Sequence, residues 1–286
     1  MAAMRLNAVY SLFTLLFLCY NESSEDAAEG LEEMTMAFYV TGDIHGDIAR
    51  FLPENWQGHY GLPPLAKEDV VLICGDFGIP WGFGKGSLGT PREGKATERD
   101  EAKLDALAEL GAEILFIDGN HENFPLLFAF PEKEKYGGRV RELRPNILHL
   151  ERGETYEVQG ISLFAFGGAL SIDRAWRTPG ESWWQEETYN EEEYENAVRH
   201  LEALDWHADL VVTHTAPFEF IRQSGVQGTP PVILHRRFGI DRTAEMFEEL
   251  YKKMNWNLWY FGHFHSSMIN KKMKFRGIYK EIDRIR

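Results

Sequence analysis

Asp43 and His45, two residues apart in Gly42-Asp43-Ile44-His45, offer a carboxylate oxygen and an imidazole nitrogen that a turning backbone can point the same way. Both donors suit a borderline divalent metal. One such pair is common by chance, but the device recurs at Gly75-Asp76, at Gly119-Asn120-His121-Glu122, at His214 and at Gly262-His263-Phe264-His265. Each set closes a short apolar run. Five runs with the same kind of polar ending point to one site assembled from strand ends. His59, His149, His200, His207 and His235 lie outside that pattern and read as packed or exposed side chains.

The elements that must carry these residues follow from the apolar pattern. Phe38–Thr41, Val70–Cys74, Ile114–Ile117, Leu210–Thr213 and Leu258–Phe261 are short β-branched or aromatic runs, which read as buried strands. Thr97 with Asp100 three residues on predicts a helix start, with leucines at 104, 107 and 110 and Gly111 as terminator. Asn190 ahead of Glu191, Glu192 and Glu193 predicts another, with Tyr194, Ala197, Val198 and Leu201 on its apolar face. A third starts at Asp241 and carries Met246, Phe247, Leu250 and Met254. Strand, helix, strand argues for βαβ units and a largely parallel sheet, in which ligands sit at the carboxyl ends of the strands. The middle differs: Ile147–Leu150, Tyr156–Val158 and Ile161–Phe166 follow one another without helices and predict antiparallel hairpins of a second sheet.

The chain of 286 residues is 44% hydrophobic and 26% charged, a globular balance with enough length for a large core. Its net charge of −15 repels phosphate backbones, so non-specific nucleic-acid binding is not expected. Two cysteines, Cys19 and Cys74, give no disulfide framework and suit a reducing, cytoplasmic compartment. Ala8 to Tyr20 forms an apolar run behind Arg5; at about 13 residues it is short of the roughly 20 that span a bilayer. No membrane span is expected. The run reads as an upstream start ahead of Met34 or Met36, or alternatively as an export signal. Residues 1–33 are therefore set outside the fold, and 34–286 are read as a single domain.

The order D-x-H, G-D, G-N-H-[DE], lone H, G-H-x-H, running from Phe38 to Ser266, resembles the calcineurin-like metallophosphoesterase superfamily. The resemblance implies a four-layer α/β/β/α sandwich of two mixed sheets flanked by helices. It also implies two divalent metal ions, one held by Asp43, His45 and His265, the other by Asn120, His214 and His263, with Asp76 bridging. His121 is then the catalytic residue that contacts the ester rather than a metal.

The chemistry is consistent with those residue types. Two dications need a bridging anionic oxygen, which a carboxylate supplies. Their charge less Asp43 and Asp76 is about +2, because the imidazole and amide ligands are neutral, and a bridging hydroxide lowers it to about +1. Phosphate suits such an anion hole. The expected reaction is hydrolysis of a phosphoric ester by a metal-activated hydroxide, without a phosphoenzyme. Nitrogen and oxygen ligands without thiolate fit Mn, Fe, Zn, Co or Ni.

One departure concerns the substrate. Protein Ser/Thr phosphatases carry G-D-x-x-D-R-G, whereas this chain runs Gly75-Asp76-Phe77-Gly78-Ile79-Pro80-Trp81, with neither the later Asp nor the Arg. Arg174 and Arg177, beyond the Gly167-Gly168 turn, are the candidates to grip a phosphate ester instead. The alternatives are a nuclease of the same superfamily, disfavoured by the acidic balance, and a non-catalytic scaffold, disfavoured by the complete motif set.

Overall fold

The computed structural model describes residues 36–82, 96–224 and 241–286. The leader read over 1–33, residues 83–95 and His235 lie outside the described residues. Met36–Arg286 forms one compact unit built on two mixed sheets.

The first sheet contains β1 (Phe38–Thr41), β2 (Val70–Ile73), β3 (Glu113–Phe116), β4 (Glu132–Lys135), β5 (Gly138–Arg144) and β6 (Ile147–Leu150). The C-terminal β13 (Ile282–Arg284) completes it, in the order β13-β1-β2-β3-β6-β5-β4. The second holds β7 (Glu154–Val158), β8 (Ile161–Phe166), β9 (His207–Thr213), β10 (Asn255–Phe261), β11 (Met268–Asn270) and β12 (Phe275–Gly277), ordered β11-β12-β10-β9-β8-β7. Each sheet has a parallel centre, β1-β2-β3-β6 in one and β12-β10-β9-β8 in the other, with antiparallel strands at its edges.

The period-2 alternation of the central strands sorts their side chains into layers. Phe38, Val40, Leu72 and Leu115 from the first sheet meet Leu163, Ala165, Leu210 and Val212 from the second, which makes the inner core. The opposite faces are covered by helices. Tyr39, Val71, Ile114 and Phe116 pack with Leu104 and Leu107 of α1 (Glu98–Ala108). Phe164, Phe166, Val211 and Trp259 pack with Ala197 and Leu201 of α2 (Glu191–Ala203) and with Met246, Phe247 and Leu250 of α3 (Arg242–Leu250). Both faces of each central strand are thus buried, at about 1.5–3 kcal/mol for each large apolar side chain. The architecture is the four-layer α/β/β/α sandwich.

The caps fall where the sequence puts them. Thr97 with Asp100 and Asn190 with Glu193 form reciprocal capping boxes, and the Asp241 carboxylate accepts from the Thr243 N–H. The hairpin expectation for 147–166 is corrected in part. Ile147–Leu150 joins the first sheet parallel to β3, and its antiparallel partner is the preceding β5. β7 and β8 do form a hairpin, at the edge of the second sheet. Placing β6 depends on pairing with Ile114–Phe116, more than thirty residues back, which local pattern does not encode.

Candidate metal centre

The carboxyl ends of β1, β2, β3, β9 and β10 bring all seven sequence-predicted ligand positions into one cluster. The backbone there is strained: His45, Asp76, His263 and His265 adopt φ of 47°, 49°, 65° and 47°, in the left-handed region. Non-glycine residues occupy that region sparingly, and such strain collects at functional sites. Two glycines make room for the close approach. A Cβ on Gly119 would lie 2.0 Å from Asp76 Oδ1, and one on Gly262 would lie 2.1 Å from Asp43 Oδ1.

One group consists of Asp43, His45, Asp76 and His265, whose candidate ligand atoms lie within 4.8 Å of one another. His45 Nε2 is 2.9 Å from His265 Nε2 and 3.7 Å from Asp76 Oδ2, and His265 Nε2 is 3.2 Å from Asp43 Oδ2. The second group gathers around Asn120, whose Oδ1 is 2.9 Å from His263 Nδ1 and 3.2 Å from His214 Nε2. Asp76 joins the two: Oδ2 faces His45, while Oδ1 lies 3.3 Å from His214 Nε2. Main-chain donors fix both carboxylates. The His121 N–H donates to Asp76 Oδ1 at 2.7 Å, and the His263 N–H donates to both oxygens of Asp43 at 3.1 Å.

The residues around the cluster set tautomer and orientation. His214 Nδ1 lies 2.8 Å from the Cys74 carbonyl, so Nδ1 carries the proton and Nε2 keeps a lone pair for a metal. Asn120 Nδ2 donates to Ser171 Oγ at 3.0 Å, which turns Oδ1 toward the two histidines. The Ser171 N–H donates to Glu187 Oε2 at 3.2 Å. Glu122 accepts from the N–H groups of Phe77 at 2.7 Å and Gly78 at 2.9 Å, tying the loop after β2 to the loop after β3.

His121 lies beside the first group, its ring centroid 4.9 Å from that of His45. Arg177 reaches it from the segment between β8 and α2, with Nη2 at 3.1 Å from His121 Nε2. Arg174 is placed differently: it is exposed, and its guanidinium lies over the Trp183 ring. Ser171 and Glu187 were not singled out by sequence reasoning. The Gly167-Gly168 turn marks a strand end like the others, but neither residue sits in a recognisable ligand spacing.

The electrostatics suit a cation. Burial lowers the His214 pKa, but the charge and hydrogen bond of Asp76 outweigh it and hold the imidazole up at about 10. Burial raises Asp76, and the contacts with His214, His121 and His45 more than reverse this, holding the carboxyl well below its usual range. Burial, partly opposed by Asp76 and reinforced by Arg177, pulls His121 down to about 4. Among the described residues, every ion-pair partner of Asp43 and Asp76 is a histidine. Facing imidazole nitrogens and buried carboxylates with no Lys or Arg between them fit divalent metal: a cation takes the place of the proton on His214.

No curated protein matches the chain. Among solved structures, "Termus thermophilus Sulfate thiohydrolase SoxB in complex with glycerol" matches with 13% identity and a TM-score of 0.37, covering 89% of this chain and 52% of that one. The chain thus spans about half the length of that structure. The calcineurin-like phosphoesterase family model matches residues 36–267, well over half of the sequence and inclusive of every candidate ligand. The chain belongs to the calcineurin-like phosphoesterase family.

Proposed function

We propose that this protein is a metal-dependent hydrolase of phosphoric esters with a dinuclear centre, carried on a domain spanning 34–286. The observation that carries the reading is Asp76, a buried carboxylate with one oxygen toward each of two nitrogen-rich groups. Asp43, His45 and His265 would hold one ion, Asn120, His214 and His263 the other, with Asp76 shared. When bound, two such ions supply an activated water and Lewis acidity toward the phosphoryl oxygens.

The chain's own groups set the rest. The Cys74 carbonyl and Ser171 orient His214 and Asn120, so the donor atoms are aimed before any ion arrives. His121, held beside Asp76 by its own N–H, is placed to donate a hydrogen bond or a proton to the leaving oxygen. Its low pKa makes the free imidazole neutral near pH 7, so an acid role requires the substrate's negative charge to raise it. Cys74, buried and without a disulfide, fits a cytoplasmic location. Among the described residues no helix is long and apolar enough to cross a membrane.

Purified protein loaded with Mn should carry about two metal ions per chain and hydrolyse p-nitrophenyl phosphate, its bis-ester, cyclic nucleotides or phosphopeptides in a substrate panel. Absence of a stoichiometric metal pair overturns the dinuclear reading. His121→Ala should retain metal and lose about 10²–10⁴-fold in rate on an alkyl phosphate, with a much smaller loss on p-nitrophenyl phosphate, whose leaving group needs no proton. Equal losses on the two esters exclude the acid role.

A further inference from the structure

We propose that Arg177 is the side chain that grips the substrate's phosphate, and that it makes the centre selective for phosphomonoester dianions over diesters. This rests on the phosphoesterase reading of the same site.

Arg177 is fixed by its own segment before any substrate is present. Its Nε pairs with Asp173 Oδ1 at 2.8 Å, and Nη1 donates to the Ser182 carbonyl at 3.1 Å. The side chain is only 13% exposed. The remaining edge, Nη2, faces His121, 3.1 Å from Nε2 and 3.4 Å from Nδ1. A guanidinium with two edges immobilised and one presented is pre-organised for an oxyanion, so little rotamer entropy is lost on binding.

The other cations near the strand ends are committed elsewhere. Arg50 donates to the carbonyls of Gly42, Asp43 and Tyr279 and to Thr41 Oγ1. Lys103 donates to the Gly46 carbonyl, and Arg152 is paired with Asp118. Among the described residues, Arg177 is the basic side chain that contacts the candidate ester-binding histidine. Asp173 and Glu187 lie close to it, and the edge that faces His121 is the one taken by neither Asp173 nor Ser182.

The selectivity follows from charge and valence. Coulomb attraction scales with the ligand's charge, so an added cation favours a dianionic monoester about twice as strongly as a monoanionic diester. A monoester also carries three unesterified oxygens, which can serve the metals and still leave one for Arg177; a diester carries two. Arg174, turned onto Trp183, takes no part in this.

The test uses the full chain loaded with Mn, as wild type, Arg177→Met and Arg177→Lys. Inorganic phosphate binding is measured by calorimetry, kcat/KM on p-nitrophenyl phosphate and on bis(p-nitrophenyl) phosphate, and metal content by elemental analysis. Arg177→Met should weaken phosphate binding by about 10–100-fold, the range for a hydrogen bond to a charged group, with metal content unchanged. The monoester-to-diester ratio of kcat/KM should fall by about 10-fold, and Arg177→Lys should recover part of both losses. Unchanged phosphate binding, or equal losses on the two esters, overturns the proposal. A wild type that cleaves neither ester overturns the phosphoesterase reading instead. Phosphate binding that is weakened in Arg177→Met would still support the grip in that case, and a wild type that binds no phosphate overturns it.

Discussion

Two buried carboxylate–imidazole clusters lie side by side at the end of β3, and they solve the same electrostatic problem in opposite ways. Asp118 closes one. Its Oδ1 is 3.0 Å from His149 Nε2, and its Oδ2 accepts from Arg152 Nε at 2.9 Å and also from Nη2. Arg152 continues to the Glu186 carbonyl and to Glu193. Asp76 and Asp43 anchor the other, where imidazoles are the ion-pair partners and no Lys or Arg intervenes among the described residues. All three carboxylates are 1% exposed, so burial does not distinguish them. The presence of a resident cation does. A cluster that contains its own guanidinium is electrically complete and serves the fold. One that lacks it must protonate a histidine or take a cation from outside, and is therefore poised for metal. Only Gly119 separates Asp118 from Asn120, so one strand end feeds both clusters.

The most severe way to test this contrast is Asp76→Asn. Losing the shared charge should abolish activity and lower metal content at both positions, because the dications then repel one another without a bridging anion. In chelator the substitution should also cost the fold stability, because it removes the buried partner that keeps the His214 imidazole charged, even though asparagine tolerates the left-handed backbone that Asp76 adopts. Elemental analysis and thermal unfolding in chelator check both halves. Two ions retained per chain would show that the bridge lies elsewhere.

Arg152→Met acts on the fold and not on the candidate metal ligands, and should destabilise it by about 3–5 kcal/mol by stranding the buried Asp118 charge. Urea unfolding measures it, and Asp118→Asn in the same background should recover part of the loss. A cost under about 1 kcal/mol would mean that the guanidinium is not what closes this cluster.

Alkaline pH is a gentler probe of the closed cluster. Burial lowers the His149 pKa, but the hydrogen bond to Asp118 and the charges of Asp118 and of Glu151, 3.8 Å away, outweigh it and raise it from 6.5 to about 9. A group raised on folding contributes stability that is complete below the unfolded value and is lost as pH climbs through the folded one. For His149 the window is therefore about pH 6.5 to 9, and the loss is of the order of 3 kcal/mol. With metal bound, the unfolding midpoint should fall across that window, and His149→Gln should flatten the fall. An equally steep fall in the variant assigns the effect to another group.

The open cluster was far more legible in the sequence than the closed one. Its ligands each follow an apolar run and a turn, so strand position and chemistry coincide in a few adjacent residues, as in Gly262-His263-Phe264-His265. The central strands and the caps at Thr97, Asn190 and Asp241 are local signals of the same kind. What was missed is long-range. Asn120 meets Ser171 across 51 positions, Asp118 meets Arg152 across 34 and His121 meets Arg177 across 56. No periodicity specifies such pairs. β4 and β5 were also missed: Glu132–Lys135 is a charged edge strand with no buried face, and Gly138–Arg144 buries only the side chains of Val140 and Leu143 among charged residues, with a register shift near Glu142 and Arg144 that interrupts the alternation.

The smallest expected effect lies at Ser171, which sharpens the comparison by asking how much of the open cluster is organised before metal arrives. An asparagine amide can turn either its oxygen or its nitrogen toward His214 and His263, and only the oxygen is a metal ligand. Ser171 Oγ accepts from Nδ2, which selects the oxygen-inward orientation, and its own N–H is anchored on Glu187. Both residues are buried, so water does not readily replace the hydroxyl. Ser171→Ala should therefore weaken metal binding at the Asn120 group by about 10–100-fold, the usual range for a lost partner of a metal ligand. The group formed by Asp43, His45 and His265 should keep its affinity, and Ser171→Thr should restore most of the loss. A metal titration that resolves the two affinities decides the point. If the alanine variant binds both ions as tightly as wild type, Asn120 is oriented by the histidines alone and the cluster needs no help from the β8–α2 segment.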